Sequence, residues 1–224
     1  MRFFLKVAAV LACLVALVPV TASAIPVVCN EGGDAGALPA GAASCLGAID
    51  QIQGQFGGGM MHADMYQISI PAGGGFSATT VGGANFDTQL FLFNAAGFGI
   101  AANDDSTGGR STLPLGNALL SSLPGGIYYL AITHFDNDPL SAGGLIFPST
   151  PFNGVFGPTG SGGGSPINGW SANINVDGGG QYTIFLTGTD DFSVTGEPIP
   201  EPGTLLLLGS GLVGMAVRRR RHNS

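Results

Sequence analysis

Positive charge is the scarcest feature of this chain. Its 224 residues carry 7 lysines and arginines against 14 aspartates and glutamates. Lys6 is the only lysine. Arg2 and Lys6 sit at the start, Arg218 to Arg221 crowd the end, and Arg110 stands alone between them. Every acidic residue, from Glu31 to Glu201, lies inside that frame. Nucleic-acid binding is excluded, because no basic surface is available to displace counterions from phosphates. Histidine is scarce too, with only His62 and His134 between the two ends. The sequence lacks His-Glu-x-x-His, Gly-x-Ser-x-Gly, a P-loop and Cys-x-x-Cys, so no familiar catalytic signature is present. Long helical periodicity is missing from the middle of the chain, which excludes a helix bundle there.

What is present begins with two apolar ends. Met1 to Lys6 form a short basic stretch, and residues 7–18 are apolar. Thr21-Ala22-Ser23-Ala24 closes the segment with small residues at Ala22 and Ala24. This order predicts a signal peptide over residues 1–24, cut after Ala24 by signal peptidase. Val10-Leu11-Ala12-Cys13 loosely matches a lipoprotein box, but the apolar run continues past Cys13, where a lipidated cysteine should end it.

At the other end, Pro200-Glu201-Pro202-Gly203 is followed by an apolar run over 204–217 and then by Arg218, Arg219, Arg220 and Arg221. As a helix, that run reaches about 21 Å, short of a hydrocarbon core of about 30 Å, so a span relies on arginine snorkelling and local thinning. The arginines should remain cytoplasmic. The tail, residues 199–224, resembles the PEP-CTERM sorting signal of Gram-negative bacteria, which is also seen on some ice-binding proteins. The resemblance implies recognition of Pro200, Glu201, Pro202 and Gly203 by an exosortase. It also implies transient anchoring through a C-terminal hydrophobic helix, with the body periplasmic, followed by delivery to the surface or medium. The competing expectation is a permanent anchor that is never processed.

Removing the leader leaves Cys29 and Cys45, with one possible pairing in an oxidising compartment. Closing a loop of about 15 residues would contribute roughly 3 kcal/mol.

The body, residues 25–190, reads as short alternating apolar runs split by Gly, Pro, Asn and Asp. Asp64 to Ile70 places Tyr66, Ile68 and Ile70 on one face and stops at Pro71. Residues 76–81, 88–93, 98–102, 127–133 and 182–187 continue the pattern, and 88–93 is apolar on both faces. The prediction is an all-β protein, a jelly-roll-like β-sandwich of about eight strands flanked by the signal helix and the hydrophobic tail helix. Residues 191–198 form a linker.

Glu31-Gly32-Gly33-Asp34, Asp64 to Ile68, Phe86-Asp87-Thr88 with its following strand, Asn103-Asp104-Asp105 and Leu123-Pro124-Gly125-Gly126 occur in that order. The series resembles the bacterial pre-peptidase C-terminal domain, a β-sandwich appended to secreted enzymes or carried alone. Residues 145–170 have no counterpart in that pattern. Their length and Pro/Gly content predict an insertion, either a mobile surface loop or a binding loop.

A tight turn at Asn94 to Gly97 would pair Phe93 with Phe98 and set Asp87 opposite Asp104, provided no bulge intervenes. Asp87, Asn103, Asp104 and Asp105 would then share one sheet end. Clustered carboxylates must be solvated, protonated or cation-bound, and hard oxygen donors suit a structural Ca²⁺. The plainer alternative is an Asx-rich turn with Arg110 as partner. His134, beside a strand end, is expected on the surface, and Trp170 as a core or loop anchor.

These features together imply a non-catalytic secreted or surface protein, associated through its tail family with extracellular matrix, exopolysaccharide or biofilm. The competing reading is a calcium-dependent carbohydrate-binding module that uses the acidic cluster and the 145–170 segment.

Overall fold

The structure is a computed structural model that describes residues 25–56, 63–73, 75–171 and 180–190. The signal segment with Ala22 and Ala24, the sorting residues Pro200 to Gly203, the apolar run and Arg218 to Arg221 lie outside the described residues, as does His62. Among the described residues, no helix is long and apolar enough to cross a membrane.

The described chain is all-β, with one 3-10 turn at Pro39–Gly41. Its strands are β1 (Val28–Asn30), β2 (Ala43–Ser44), β3 (Gln51–Gln55), β4 (Ala63–Ile70), β5 (Ser77–Thr79), β6 (Thr88–Asn94) and β7 (Gly99–Asn103). Then come β8 (Thr112–Leu113), β9 (Gly126–His134), β10 (Pro139–Ser141), β11 (Gly144–Leu145), β12 (Gly169–Trp170) and β13 (Gln181–Thr187). They form two five-stranded sheets, β1-β3-β13-β5-β8 and β2-β4-β9-β6-β7, and a three-stranded sheet, β11-β10-β12. The longest strands are those whose alternation is clearest in the sequence. Two pairs are parallel, β1 with β3 and β2 with β4.

The inner faces of the two large sheets close over one core. Tyr66, Ile68 and Ile70 of β4, Leu90 and Leu92 of β6, and Leu130 and Ile132 of β9 meet Ile52 of β3 and Tyr182, Ile184 and Leu186 of β13. Alternation of period two puts these side chains on one face and leaves their neighbours outward. Cys29 and Cys45 form a disulfide with a Cα–Cα distance of 5.7 Å. Cys29 lies on β1, and Cys45 directly follows β2, where its amide donates to Gln67 O at 2.9 Å. The bond therefore joins an edge of one sheet to an edge of the other.

A second core explains why β6 is apolar on both faces. Its outward residues Phe91 and Phe93 pack with Met65, Ala131, Ile146, Phe147, Ile167 and Trp170. The insertion that the sequence marked as a mobile or binding loop is a cap over this sheet. It carries β11 and β12 against β10, and Phe156 bridges Ala102 at the free edge of β7. The reason lies in Ile146, Phe147, Ile167 and Trp170, spread among glycines and prolines. They are too sparse to show a period, yet suffice to cover three apolar strands. Trp170 is 5% exposed, and its indole N–H donates to Ala37 O at 2.7 Å.

Candidate functional site

The hairpin joining β6 and β7 turns at Asn94, whose side-chain oxygen accepts from the amides of Ala96 at 2.9 Å and Phe98 at 3.0 Å. Gly97 adopts φ 81°, a conformation that favours glycine. A bulge then breaks the register. Leu92 pairs with Ala101, but Phe93 pairs with Gly99 and not with Phe98. The opposition of Asp87 and Asp104 expected from an unbulged ladder does not occur, since Leu90 takes Asn103 as partner.

The carboxylates gather nonetheless. Asp87 directly precedes β6, and Asp104 and Asp105 directly follow β7, so adjacent strands bring all three to one sheet end. One oxygen from each lies within 4.8 Å of the others. Asn103 does not complete this set. Its amide nitrogen donates to Asp105 O at 3.1 Å and Gly154 O at 2.7 Å, and its oxygen accepts from the Thr112 amide at 2.6 Å. That side chain fastens β7 to the cap and to β8.

Electrostatics at this end is unfavourable to bare anions. Burial pushes Asp104 up to about 7, with Asp105, Asp87, Asp138 and Asp136 adding repulsion. Asp87 is raised by burial and Asp105, offset in part by Arg110. Arg110 donates from Nε to Ala84 O and from Nη1 to Gly108 O. One Oδ1 each of Asp104 and Asp105 is buried without a hydrogen-bond partner. Buried oxygens left in that condition cost free energy unless protonated or ligated. Three convergent carboxylates with two such atoms fit a hard divalent cation such as Ca²⁺. Asp87, Asp104 and Asp105 would hold it.

A second acidic group was not picked out from the sequence. Glu31, Asp34 and Asp64 also bring carboxylate oxygens within 4.8 Å of one another. Asp64 is 2% exposed, near the start of β4. Tyr182 of β13 donates its hydroxyl hydrogen to Asp64 Oδ2, and the Tyr66 and Tyr182 hydroxyls are 2.5 Å apart. Burial pushes Asp64 up to about 8, against the lowering effect of the Tyr182 bond. Both tyrosines are also raised, chiefly by burial. Gly54 makes room for this pair, because a Cβ there would stand 2.4 Å from the Tyr66 hydroxyl. Glu31 is already committed: its two oxygens accept from the amides of Ala35 at 2.6 Å and Gln55 at 2.7 Å. Through Tyr182 this group ties β13 of one sheet to β4 of the other.

His134 is not on the surface. It is 3% exposed and stacks on Phe86 with ring centroids 4.3 Å apart. The apolar neighbours Phe56 and Phe86 are distant in sequence, so nothing near His134 in the chain signalled its burial.

The C-terminal tail bears on where the protein goes. Residues 198–221 match the PEP-CTERM protein-sorting motif. That motif implies an exported protein, transiently membrane-anchored, processed by exosortase and ending at the cell surface. The match leaves the β body unassigned. No curated protein matches the chain.

Proposed function

We propose that the β body is a non-catalytic component of the cell surface or extracellular matrix, delivered by exosortase and associated with exopolysaccharide or biofilm. The observation that carries this reading is the sorting motif at residues 198–221. In it, signal peptidase cuts after Ala24, exosortase acts at Pro200 to Gly203, and Arg218 to Arg221 hold the tail cytoplasmic until then. The body is a jelly-roll-like relative of the pre-peptidase C-terminal domain, extended by the cap. A non-catalytic role is supported by His134, the only histidine among the described residues, which is buried against the rings of Phe56 and Phe86. The composition agrees, since an acidic, lysine-free surface favours solubility outside the cell.

The test is fractionation of cells producing the wild-type protein and a Glu201→Ala/Pro202→Ala variant. The wild type should reach the surface or medium and the variant should stay in the inner membrane. Equal release of both would defeat the reading.

A structural Ca²⁺ at Asp87, Asp104 and Asp105 is the second element, favoured by the two buried, unpartnered Oδ1 atoms. Calorimetric titration with Ca²⁺ should give heat that disappears in Asp104→Asn. The alternative of a calcium-dependent carbohydrate-binding module keeps its acidic cluster, but the 145–170 segment turns Trp170 inward against the sheet.

A further inference from the structure

The β1-β3-β13 sheet has an outer face that nothing among the described residues covers. Register places Gln55 beside Gln181, Gln53 beside Thr183, and Asn30 beside Gln53. These side chains all point away from the core, because their neighbours Ile52, Tyr182 and Ile184 point into it. Together with Asn85 they line a groove of about 1130 Å³, large enough for an extended ligand. One wall is the segment 82–86, which joins β13 as an extra backbone layer: the Thr183 amide donates to Gly83 O at 2.7 Å. A Cβ at Gly83 would lie 2.0 Å from Thr183 O, so glycine permits the approach. Phe86, half-buried and stacked on His134, adds the rest of its ring to that wall.

The groove's chemistry is narrow. Amides and a hydroxyl supply donors and acceptors, yet they hold one another loosely. The Gln181 to Gln55 side-chain bond spans 3.5 Å and the Gln53 to Gln51 bond 3.3 Å. The one charged lining residue, Glu31, already has both oxygens occupied by backbone amides. No lysine or arginine lines it, so an anionic polymer would find no counter-charge there. Paired donors and acceptors beside one aromatic ring suit a ligand made of hydroxyls on an apolar ring.

We infer that this groove binds a neutral polysaccharide strand, independently of calcium, through Gln53, Gln55, Gln181, Thr183, Asn30 and Asn85. The inference names a ligand for the surface role proposed above, and it rests on that reading only for where the ligand is met.

The full chain in detergent would be titrated with neutral glucan, mannan and galactan oligosaccharides and with uronate-containing ones, with and without chelator. The expected result is binding to a neutral oligosaccharide, none to the uronates, and no change on chelation or in Asp104→Asn. Gln53→Ala/Gln181→Ala should bind roughly tenfold more weakly at an unchanged melting temperature. If that pair disturbs the fold, Asn85→Ala, which lies on the wall and outside the strands, should still weaken binding measurably. Failure of every neutral sugar, undiminished binding in a folded double variant and in Asn85→Ala, or a calcium requirement would overturn the inference. Sorting is read separately from the Glu201 and Pro202 variants, so either reading can fail while the other stands.

Discussion

The two outer faces of this sandwich are opposites. One, on β4, β9 and β6, carries Met65, Ala131, Phe91 and Phe93 and is sealed by a cap containing Ile146, Phe147, Ile167 and Trp170. The other, on β3 and β13, carries Gln51, Gln53, Gln55, Gln181 and Thr183 and is open among the described residues. Backbone pairing is similar on both sides, so the strands' outward residues decide which face acquires a layer. Burying large aromatics gives the covered face several kcal/mol to lose, whereas glutamines in water give the open face little. Stability is therefore concentrated on one side, and the other side is free to contact a partner.

The sharpest way to break the contrast is a matched pair of truncations. Phe93→Ala on the covered face should cost about 3–5 kcal/mol, and Gln53→Ala on the open face should stay within about 0.5 kcal/mol. Urea unfolding measures both, and comparable costs would mean that the cap is not a true core.

The disulfide should come next. It joins edges of the two sheets, so Cys29→Ser/Cys45→Ser, or full reduction, should remove about 2–4 kcal/mol. A thermal melt with and without reductant reads this, and an unchanged midpoint would place the staple outside the cooperative unit.

Acidity gives a signed effect. Burial raises Asp64 from 3.8 to about 8 and Asp104 from 3.8 to about 7. As pH climbs, these groups ionise first in the unfolded chain, so the folded state holds the extra protons in between. Their contribution is complete below 3.8 and is lost as pH rises through about 7 for Asp104 and about 8 for Asp64. Without divalent cation, the melting temperature should therefore fall across that window. Asp64→Asn should flatten the fall, and added Ca²⁺ should raise the melting temperature more at the alkaline end, where Asp104 is ionised. A melting temperature that rises with pH in chelator would contradict this account.

The smallest effect concerns how the cap is tied down. Trp170→Phe keeps most of the packing and removes the bond to Ala37 O, so it should cost about 1 kcal/mol. Native-state hydrogen exchange should show the loss confined to the cap and the turn near Ala37.

The long strands were legible because an apolar run of six or seven residues, alternating or apolar on both faces and bounded by turn residues, is a strong signal. Asp64 to Ile70, Thr88 to Phe93, Ile127 to Thr133 and Tyr182 to Thr187 all lie within observed strands. The double-sided apolarity of 88–93 was legible, but the cap that covers it was not, because the cap's apolar residues are scattered over a glycine-rich segment. Strands β1, β2, β8, β11 and β12 are two or three residues long, and their pairing comes from distant chain segments that no local pattern records. In the acidic cluster, Asp87, Asp104 and Asp105 were legible from hairpin geometry. The bulge near Phe93 was not, nor was the diversion of Asn103 into backbone hydrogen bonds. Asp64 with Tyr66 and Tyr182 escaped notice because that group assembles only when the two sheets meet.

The central claim is that the sandwich works outside the cell, after losing the segments on either side of it. Intact-mass spectrometry of the protein recovered from cells and medium tests this directly. The account predicts an extracellular species that starts at Ile25, contains the Cys29–Cys45 disulfide and lacks Arg218 to Arg221. Recovery of only the unprocessed polypeptide, from Met1 to Ser224 and inside the cell, would contradict it.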